Sequence, residues 1–245
     1  MADYQTIRTA GVGTRTAQID EGLRAHMNKV YGLMSVGMVL TGAVAWAVGT
    51  SDALMQVFRT AEGSITILGW VVMLAPLIMV FAFGAVINRL STAGAQLFFY
   101  VYAAVMGLSL AWIFQAFTGV SIAQTFLITA IAFAGLSLYG YTTKKDLSRL
   151  GTFLMMGVIG LVVAMIVNIF LASSALMFAI SVIGVLVFAG LTAYDTQNIK
   201  NTYLQHAQSG DSEWLGKAAI MGALQLYLDF INLFMFLLQF MGNRE

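Results

Sequence analysis

The chain has 245 residues, of which 60% are hydrophobic and only 9% are charged, and its formal net charge is +1. Such a composition excludes an ordinary water-soluble protein, and the balance of 12 basic against 11 acidic residues argues against a nucleic-acid partner. Cysteine is absent, which excludes disulfides, thiolate-ligated metal centres and thiol catalysis. The expected surroundings are therefore a lipid bilayer, and no cofactor is expected.

The first 27 residues are polar, and no apolar run leads to a cleavage site within them. They do not look like a secretory signal peptide, so the first span is expected to direct membrane insertion itself. We predict a polar cytoplasmic N-terminal tail, 1–27, followed by a transmembrane domain, 28–245. His26 and His206 lie in polar segments and are expected to be solvated.

Seven long apolar stretches follow the tail, and each is long enough to cross a bilayer, which takes about 20 residues in a helix. They cover positions 30–48, 65–87, 97–117, 122–141, 153–172, 176–194 and 218–240. Their hydrophobicity is continuous rather than alternating, which favours helices over a β-barrel. The predicted fold class is an all-α membrane protein with seven transmembrane helices.

The basic residues are distributed unevenly between the two sides of the membrane that seven spans define. Ten of the twelve lysines and arginines fall on the side of the N-terminal tail. The positive-inside rule then predicts a cytoplasmic N-terminus and an external C-terminus. Losing one span would move Lys144, Lys145 and Arg149 to the side opposite the tail, so seven is the self-consistent number.

Two aspartates lie within the spans, where an ionisable side chain costs about 2.5–3.5 kcal/mol on insertion scales. Asp195 ends the apolar run of the sixth span, and Asp229 lies in the middle of the seventh. Because such residues are rarely retained without a use, both are candidate functional residues.

Polar residues near these aspartates recur at helical spacing. On the seventh helix one face carries Gly222, Gln225, Asp229, Asn232, Phe236 and Gln239, and on the sixth helix one face carries Ser181, Gly184, Phe188, Thr192 and Asp195. A polar face cannot point to lipid, so the last helix is predicted to be surrounded by the other helices or to line a water-filled cavity. The candidate residues lining a pathway are Gln225, Asn232 and Thr192, together with the buried amide Asn168.

The depth of the two aspartates follows from the connector between them. Antiparallel neighbours place residues equidistant from their turn at one depth, and 33 residues, centred on Ser212, separate Asp195 from Asp229. Gly210 is a suitable helix stop and Asp211 or Ser212 a suitable N-cap. The sixth helix would then continue to about His206, and the two aspartates would lie at the same depth, which permits them to face each other.

Two carboxyl groups in contact would share a proton, which makes the pair a candidate pH switch or the catalytic pair of an aspartyl protease. The simpler alternative is that each aspartate only fixes helix packing through hydrogen bonds. Arg89, at the end of the second span, either reaches inward to an aspartate or extends to the lipid headgroups. Asn168 either lines a pathway or makes an interhelical hydrogen bond.

The most specific segments are AGLTAYDTQNI at 189–199 and LQLYLDFINL at 224–233, preceded by GLRAHMNKVY at 22–31. With these segments the chain resembles the Bax inhibitor-1 family. The resemblance implies a central last helix and a proton-sensitive calcium leak controlled by an aspartate pair, which by motif corresponds to Asp195 and Asp229. It also implies an arginine latch on the second helix, for which Arg89 is the candidate.

The resulting hypothesis is a pH-sensitive calcium or cation leak channel, not an enzyme, in the inner membrane of a bacterium. Its ligands are calcium ions and protons, and the oxygens of Asp195 and Asp229 are candidate calcium ligands. One alternative is a membrane-embedded regulator that binds another membrane protein, such as a quality-control protease. Another is an intramembrane aspartyl protease, although Asp229 lacks the Gly-x-Gly-Asp pattern of that class.

Overall fold

A computed structural model describes the backbone of residues 3–60, 64–207 and 211–243, with side chains from Ile19 onward. Apart from an isolated bridge between Arg59 and Ile65, no β-structure occurs in these ranges. The α-helices are α1 (Asp3–Gly49), α2 (Asp52–Phe58), α3 (Ile67–Val86), α4 (Thr92–Leu110), α5 (Ile113–Ala116), α6 (Gly119–Thr142), α7 (Ser148–Leu171), α8 (Ser174–His206) and α9 (Ser212–Met241), with a 3-10 turn, Ile87–Arg89, after α3.

Seven helices of the described chain are long and apolar enough to cross a membrane, which confirms the predicted number of spans. They are α1 from Ile19 onward, α3 with its 3-10 turn, α4 with α5, and α6 to α9. Helix α1 begins at Asp3 and continues without a break through the segment predicted as a polar tail. Which side of the membrane holds the N-terminus remains a prediction.

Short polar side chains set the starts of most spans. Thr66, Ser91, Thr118, Ser173 and Asp211 each accept a hydrogen bond from the backbone N–H three residues further on. Such N-caps satisfy donors that the first helical turn leaves free. The predicted cap at Asp211 and the predicted end of the sixth span at His206 are confirmed, whereas Gly210 lies outside the described residues.

Helix α9 is the centre of the bundle. In its most apolar segment 67% of the residues are buried, against 17–39% in the other six spans. It packs against α1, α4, α6 and α8, while α3 and α7 are the spans that expose most of their surface. The predicted central position of the last helix is therefore confirmed.

A buried hydroxyl network joins three of these helices. The Tyr227 hydroxyl of α9 lies 2.6 Å from Oγ1 of Thr41 in α1, and Thr41 donates a hydrogen bond of 2.8 Å to the carbonyl oxygen of Ala103 in α4. Because Thr41 uses its own hydrogen for Ala103, Tyr227 is the donor to Thr41. The Tyr227 ring also packs edge-on against Phe99 and Tyr102.

Replacing Tyr227 by phenylalanine is expected to lower the free energy of unfolding by about 1 kcal/mol, the usual net contribution of one hydrogen bond. The matched control is Tyr139→Phe, because Tyr139 is 48% exposed. Unfolding in mixed detergent measures both variants. Equal stability of the two would contradict a structural role for the Tyr227 hydroxyl.

Candidate functional site

The two aspartates of the spans meet between α8 and α9. The side chains of Asp195 and Asp229 lie close enough for their carboxyl groups to interact directly. Asp229 is only 4% exposed, and Asp195 is half-buried. The contact expected from the connector length is therefore present, and we refer to these two residues as the aspartate pair.

Glycines on both sides of the aspartate pair bring α8 and α9 close together. A Cβ at Gly222 would lie 3.1 Å from the Ile199 side chain, and a Cβ at Gly184 would lie 2.6 Å from the Phe236 ring. Small residues at such positions let helices approach closely in a membrane. These contacts fix the register of the hairpin and with it the level at which the two carboxyl groups meet.

Few donors or opposite charges among the described residues offset the free-energy cost of burying the aspartate pair. The Oδ2 atom of Asp229 is buried and has no hydroxyl, amide or basic donor within bonding distance among the described residues. The salt bridge found in the same part of the chain joins Lys217 to Glu213 and does not involve the pair. Two carboxyl groups can hydrogen-bond to each other only when one carries a proton. A pair that shares one proton would make such a contact favourable.

A polar cavity of about 270 Å³ leads toward the aspartate pair from the basic side of the bundle, meaning the side of the N-terminal segment. Its polar lining includes His26, Asn198, Thr202, Lys217 and Gln225. Gln225 precedes Asp229 by four residues, about one helical turn. The cavity therefore reaches to within about one turn of the pair.

The opposite side of the aspartate pair is closed by aromatic rings. Phe188 of α8 and Phe236 of α9 stack with their ring centroids 5.8 Å apart and an interplanar angle of 27°. Both are buried, and Phe236 lies about two turns, or 10 Å, beyond Asp229 on α9. We call Phe188 and Phe236 the aromatic plug, because they fill the space between the two helices there.

Comparison with known proteins agrees with this architecture. Residues 23–245 match the family model described as inhibitor of apoptosis-promoting Bax1. The chain belongs to the Bax inhibitor-1 family. The inner membrane protein YbhL of Escherichia coli (strain K12) is 48% identical over 224 residues, covering 91% of this chain and 94% of YbhL. With its seven spans, this member of the family is an integral inner-membrane protein.

Two further relatives extend the similarity over nearly the whole chain. An uncharacterized protein of Caulobacter vibrioides is 47% identical, with 93% of this chain and 92% of the relative covered. An uncharacterized protein of Rickettsia prowazekii is 43% identical over the full length of both chains. Membership of the Bax inhibitor-1 family therefore applies to the complete bundle.

The residues predicted to line a pathway lie at different places in this Bax inhibitor-1 member. Gln225 lines the polar cavity, whereas Thr192 is fully buried and donates a hydrogen bond of 2.8 Å to the Phe188 carbonyl of its own helix. Asn232 likewise donates to the Leu228 carbonyl of its own helix, at 2.8 Å. Of these three predicted residues, Gln225 is therefore the one that lines an open space.

Asn168 lies at the other end of α8 from the aspartate pair. Its side-chain oxygen accepts a hydrogen bond of 3.1 Å from the backbone N–H of Ser173, which closes the turn between α7 and α8. About 30 Å of helix separate that turn from Asp195. The structure thus gives Asn168 a turn-forming role and does not bring it to the pair.

Arg89 is the candidate latch residue that the resemblance to the Bax inhibitor-1 family implied. Arg89 is exposed in the 3-10 turn after α3, and no salt bridge links it to Asp195 or Asp229 in the described part of the chain. Its neighbour Asn88 faces the polar cavity. A latch formed by Arg89 therefore remains a prediction.

Sequence reasoning missed the position of His26. The expectation that His26 is solvated is wrong, because its side chain is 7% exposed and its ring lies 4.9 Å from that of Tyr203. The helical spacing of apolar residues could have indicated this burial, because Leu23, Met27 and Val30 continue the buried face of α1 past His26. The apolar helix face begins about two turns before the predicted first span.

Proposed function

We propose that the chain is a pH-sensitive leak channel for calcium or a similar cation, controlled by the protonation of Asp195 and Asp229. The observation that carries this proposal is the close pair of carboxyl groups between two membrane-spanning helices, without a salt-bridge partner in the described residues. Carboxyl groups at such a depth are costly and are retained mainly in proton and ion pathways.

Protonation would act through the contact between α8 and α9. With one shared proton the two carboxyl groups attract each other, which supports the close packing of the two helices. With no proton, two charges about 4 Å apart repel by about 4 kcal/mol at an effective dielectric constant of about 20. A free-energy difference of that size shifts a two-state equilibrium by about a thousandfold.

The same oxygens suit a hard cation. Calcium prefers about six to eight oxygen ligands, and carboxylates are common among them. The described residues contain no group of three or more Asp, Glu, His or Cys side chains that could together hold a metal ion, so the pair would supply only part of such a shell. Such partial coordination supports transient binding of a cation during its passage, with water completing the coordination shell. Protons and cations would then compete for the same carboxyl oxygens.

The polar cavity supports an entry route on one side. Gln225 and Lys217 line this cavity, which supports a path toward the pair from that side, while the aromatic plug would block the route on the other side. The arrangement corresponds to a closed channel with one accessible vestibule. Opening would require the plug residues to separate.

Calcium flux into vesicles with the reconstituted protein tests the proposal across about pH 5 to 8. Wild-type flux is expected to depend on pH. Asparagine imitates the neutral carboxyl group, so the double variant Asp195→Asn with Asp229→Asn should lose this dependence. Its flux at every pH should equal that of the wild type at the acid end.

Asp146→Asn is the matched control. Asp146 is exposed in the connector between α6 and α7, and hydrogen bonds from Ser148 hold its pKa below the ordinary value. It is therefore charged throughout the pH range of the assay, and its replacement should leave the pH profile unchanged. An unaltered pH response in the aspartate-pair variants would exclude the proposed control by protonation.

The two alternatives from the sequence predict other results. A protease would lose peptide cleavage in the single aspartate variants, with no calcium flux in the wild type. A regulator of another membrane protein would keep partner binding in the double asparagine variant. No contact in the described residues favours either alternative over the channel.

A further inference from the structure

A large groove separates α1 from α6 on the surface of the bundle. It encloses about 1000 Å³ and lies over α9, against which both helices pack. Phe230 of α9 forms part of its floor. Across the groove, α1 and α6 are joined by the hydrogen bond of 2.5 Å between Tyr31 and Ser137. Because both walls are transmembrane helices, the groove opens sideways to the hydrocarbon region of the bilayer.

Most of the groove is apolar. Its walls and floor include Met34, Met38, Ala130, Phe133 and Phe230. From Met34 to the far end of the lining on α1, at residue 43, the chain rises by about 14 Å, close to half of the 30 Å hydrocarbon core. The apolar section therefore matches the depth of one leaflet.

Small residues create the space for an occupant. Gly42 lines the groove on α1, and Ala134 faces it from α6. A Cβ placed on Gly42 would meet no atom within 4 Å. The groove is thus an unfilled volume at the lipid boundary and not a tightly packed contact between helices.

One end of the groove is polar and basic. Arg24 and Asn28 line it there, and no acidic residue is among its lining residues. Lys200 lies beside this end, where its amino group donates a hydrogen bond of 2.7 Å to the carbonyl oxygen of Tyr141. Arg24 and Lys200 both belong to the basic side of the bundle. A ligand that fits has an anionic end and an apolar tail.

We propose that this groove is a binding site for an anionic phospholipid from the leaflet on the basic side. The phosphate lies at Arg24, and an acyl chain follows Met34 and Met38 to Phe230. Basic residues near the membrane surface attract anionic headgroups, and the lateral opening gives access only to molecules already in the bilayer. This site is separate from the aspartate pair, and the proposal does not depend on channel activity.

Native mass spectrometry of the purified full-length protein tests the site with phosphatidylglycerol and phosphatidylcholine of identical acyl chains. The wild type is expected to retain phosphatidylglycerol in preference to phosphatidylcholine. Arg24→Gln should weaken phosphatidylglycerol binding about fivefold, which corresponds to about 1 kcal/mol for one basic residue. Gly42→Leu, which fills the groove, should abolish binding of both lipids at the site.

Two matched controls lie outside the groove. Arg149→Gln removes an exposed arginine elsewhere on the same side, and Gly160→Leu adds the same side chain to lipid-facing α7, where a Cβ also meets no atom within 4 Å. Both should bind lipid as the wild type does. Equal binding by Gly42→Leu and Gly160→Leu, or no preference for phosphatidylglycerol in the wild type, would overturn the proposal. Detection of a protein dimer that Gly42→Leu abolishes would also overturn the proposal, because a second copy of the chain would then occupy the groove.

Discussion

Gly140→Ala is expected to destabilise the bundle by about 3 kcal/mol, at the upper end of the usual cost of overpacking. A Cβ at Gly140 of α6 would overlap the backbone carbonyl of Ala193 in α8. This neighbour is backbone within a helix, so it cannot rotate away as a flexible side chain would. The two helices must separate, and Ala193 lies only two residues before Asp195.

Gly135→Ala is the control for this prediction. Gly135 lies on the same helix, is exposed, and would place its Cβ in open space. The same substitution there is expected to be neutral or to stabilise by up to about 1 kcal/mol, because alanine favours helices over glycine. Unfolding in mixed detergent gives both values. Similar values for the two variants would show that α6 and α8 do not make this close contact.

Phe236→Ala is expected to raise calcium flux through the proposed channel. The substitution removes one ring of the aromatic plug, opens the space beside Gly184 and lets water approach the pair from the blocked side. A barrier lowered by only 1.4 kcal/mol increases the rate about tenfold. The pH dependence should persist, because Asp195 and Asp229 are unchanged.

Two variants separate this effect from general damage to the protein. Phe236→Leu keeps an apolar side chain in the plug and should leave flux near the wild-type value. Phe240→Ala removes a ring that is 48% exposed at the end of α9, in contact with Phe178 rather than the plug. Flux in reconstituted vesicles measures all three variants. Equal flux in Phe236→Ala and Phe240→Ala would exclude the plug as the barrier.

The number of spans and the contact between Asp195 and Asp229 were predictable from the sequence for physical reasons. A bilayer of fixed thickness demands a minimum apolar length, so each span leaves a continuous signal. The depth of the two aspartates depends only on helix rise and on a recognisable cap at Asp211. Both features are set within short stretches of chain, where periodicity and spacing are reliable.

The neighbours of a helix face were harder to predict. The sequence places Phe188 and Phe236 on the polar faces of their helices, yet their stacking depends on how closely α8 and α9 approach. Asn168 was hard to assign for the same reason, because its side-chain oxygen accepts a hydrogen bond from the backbone N–H of Ser173 in the turn after its helix. The groove beside Gly42 was also unpredicted, since it arises where α1 and α6 both contact α9 and leave space between them.

The central position of α9 has a consequence for biogenesis. During synthesis the spans enter the membrane in chain order, and α9 follows the other six. Until α9 is inserted, the surfaces of α1, α4, α6 and α8 that it later covers are therefore exposed to lipid or to one another. Assembly of the bundle can finish only after α9 is inserted, and the carboxyl group of Asp195 has no Asp229 beside it until then.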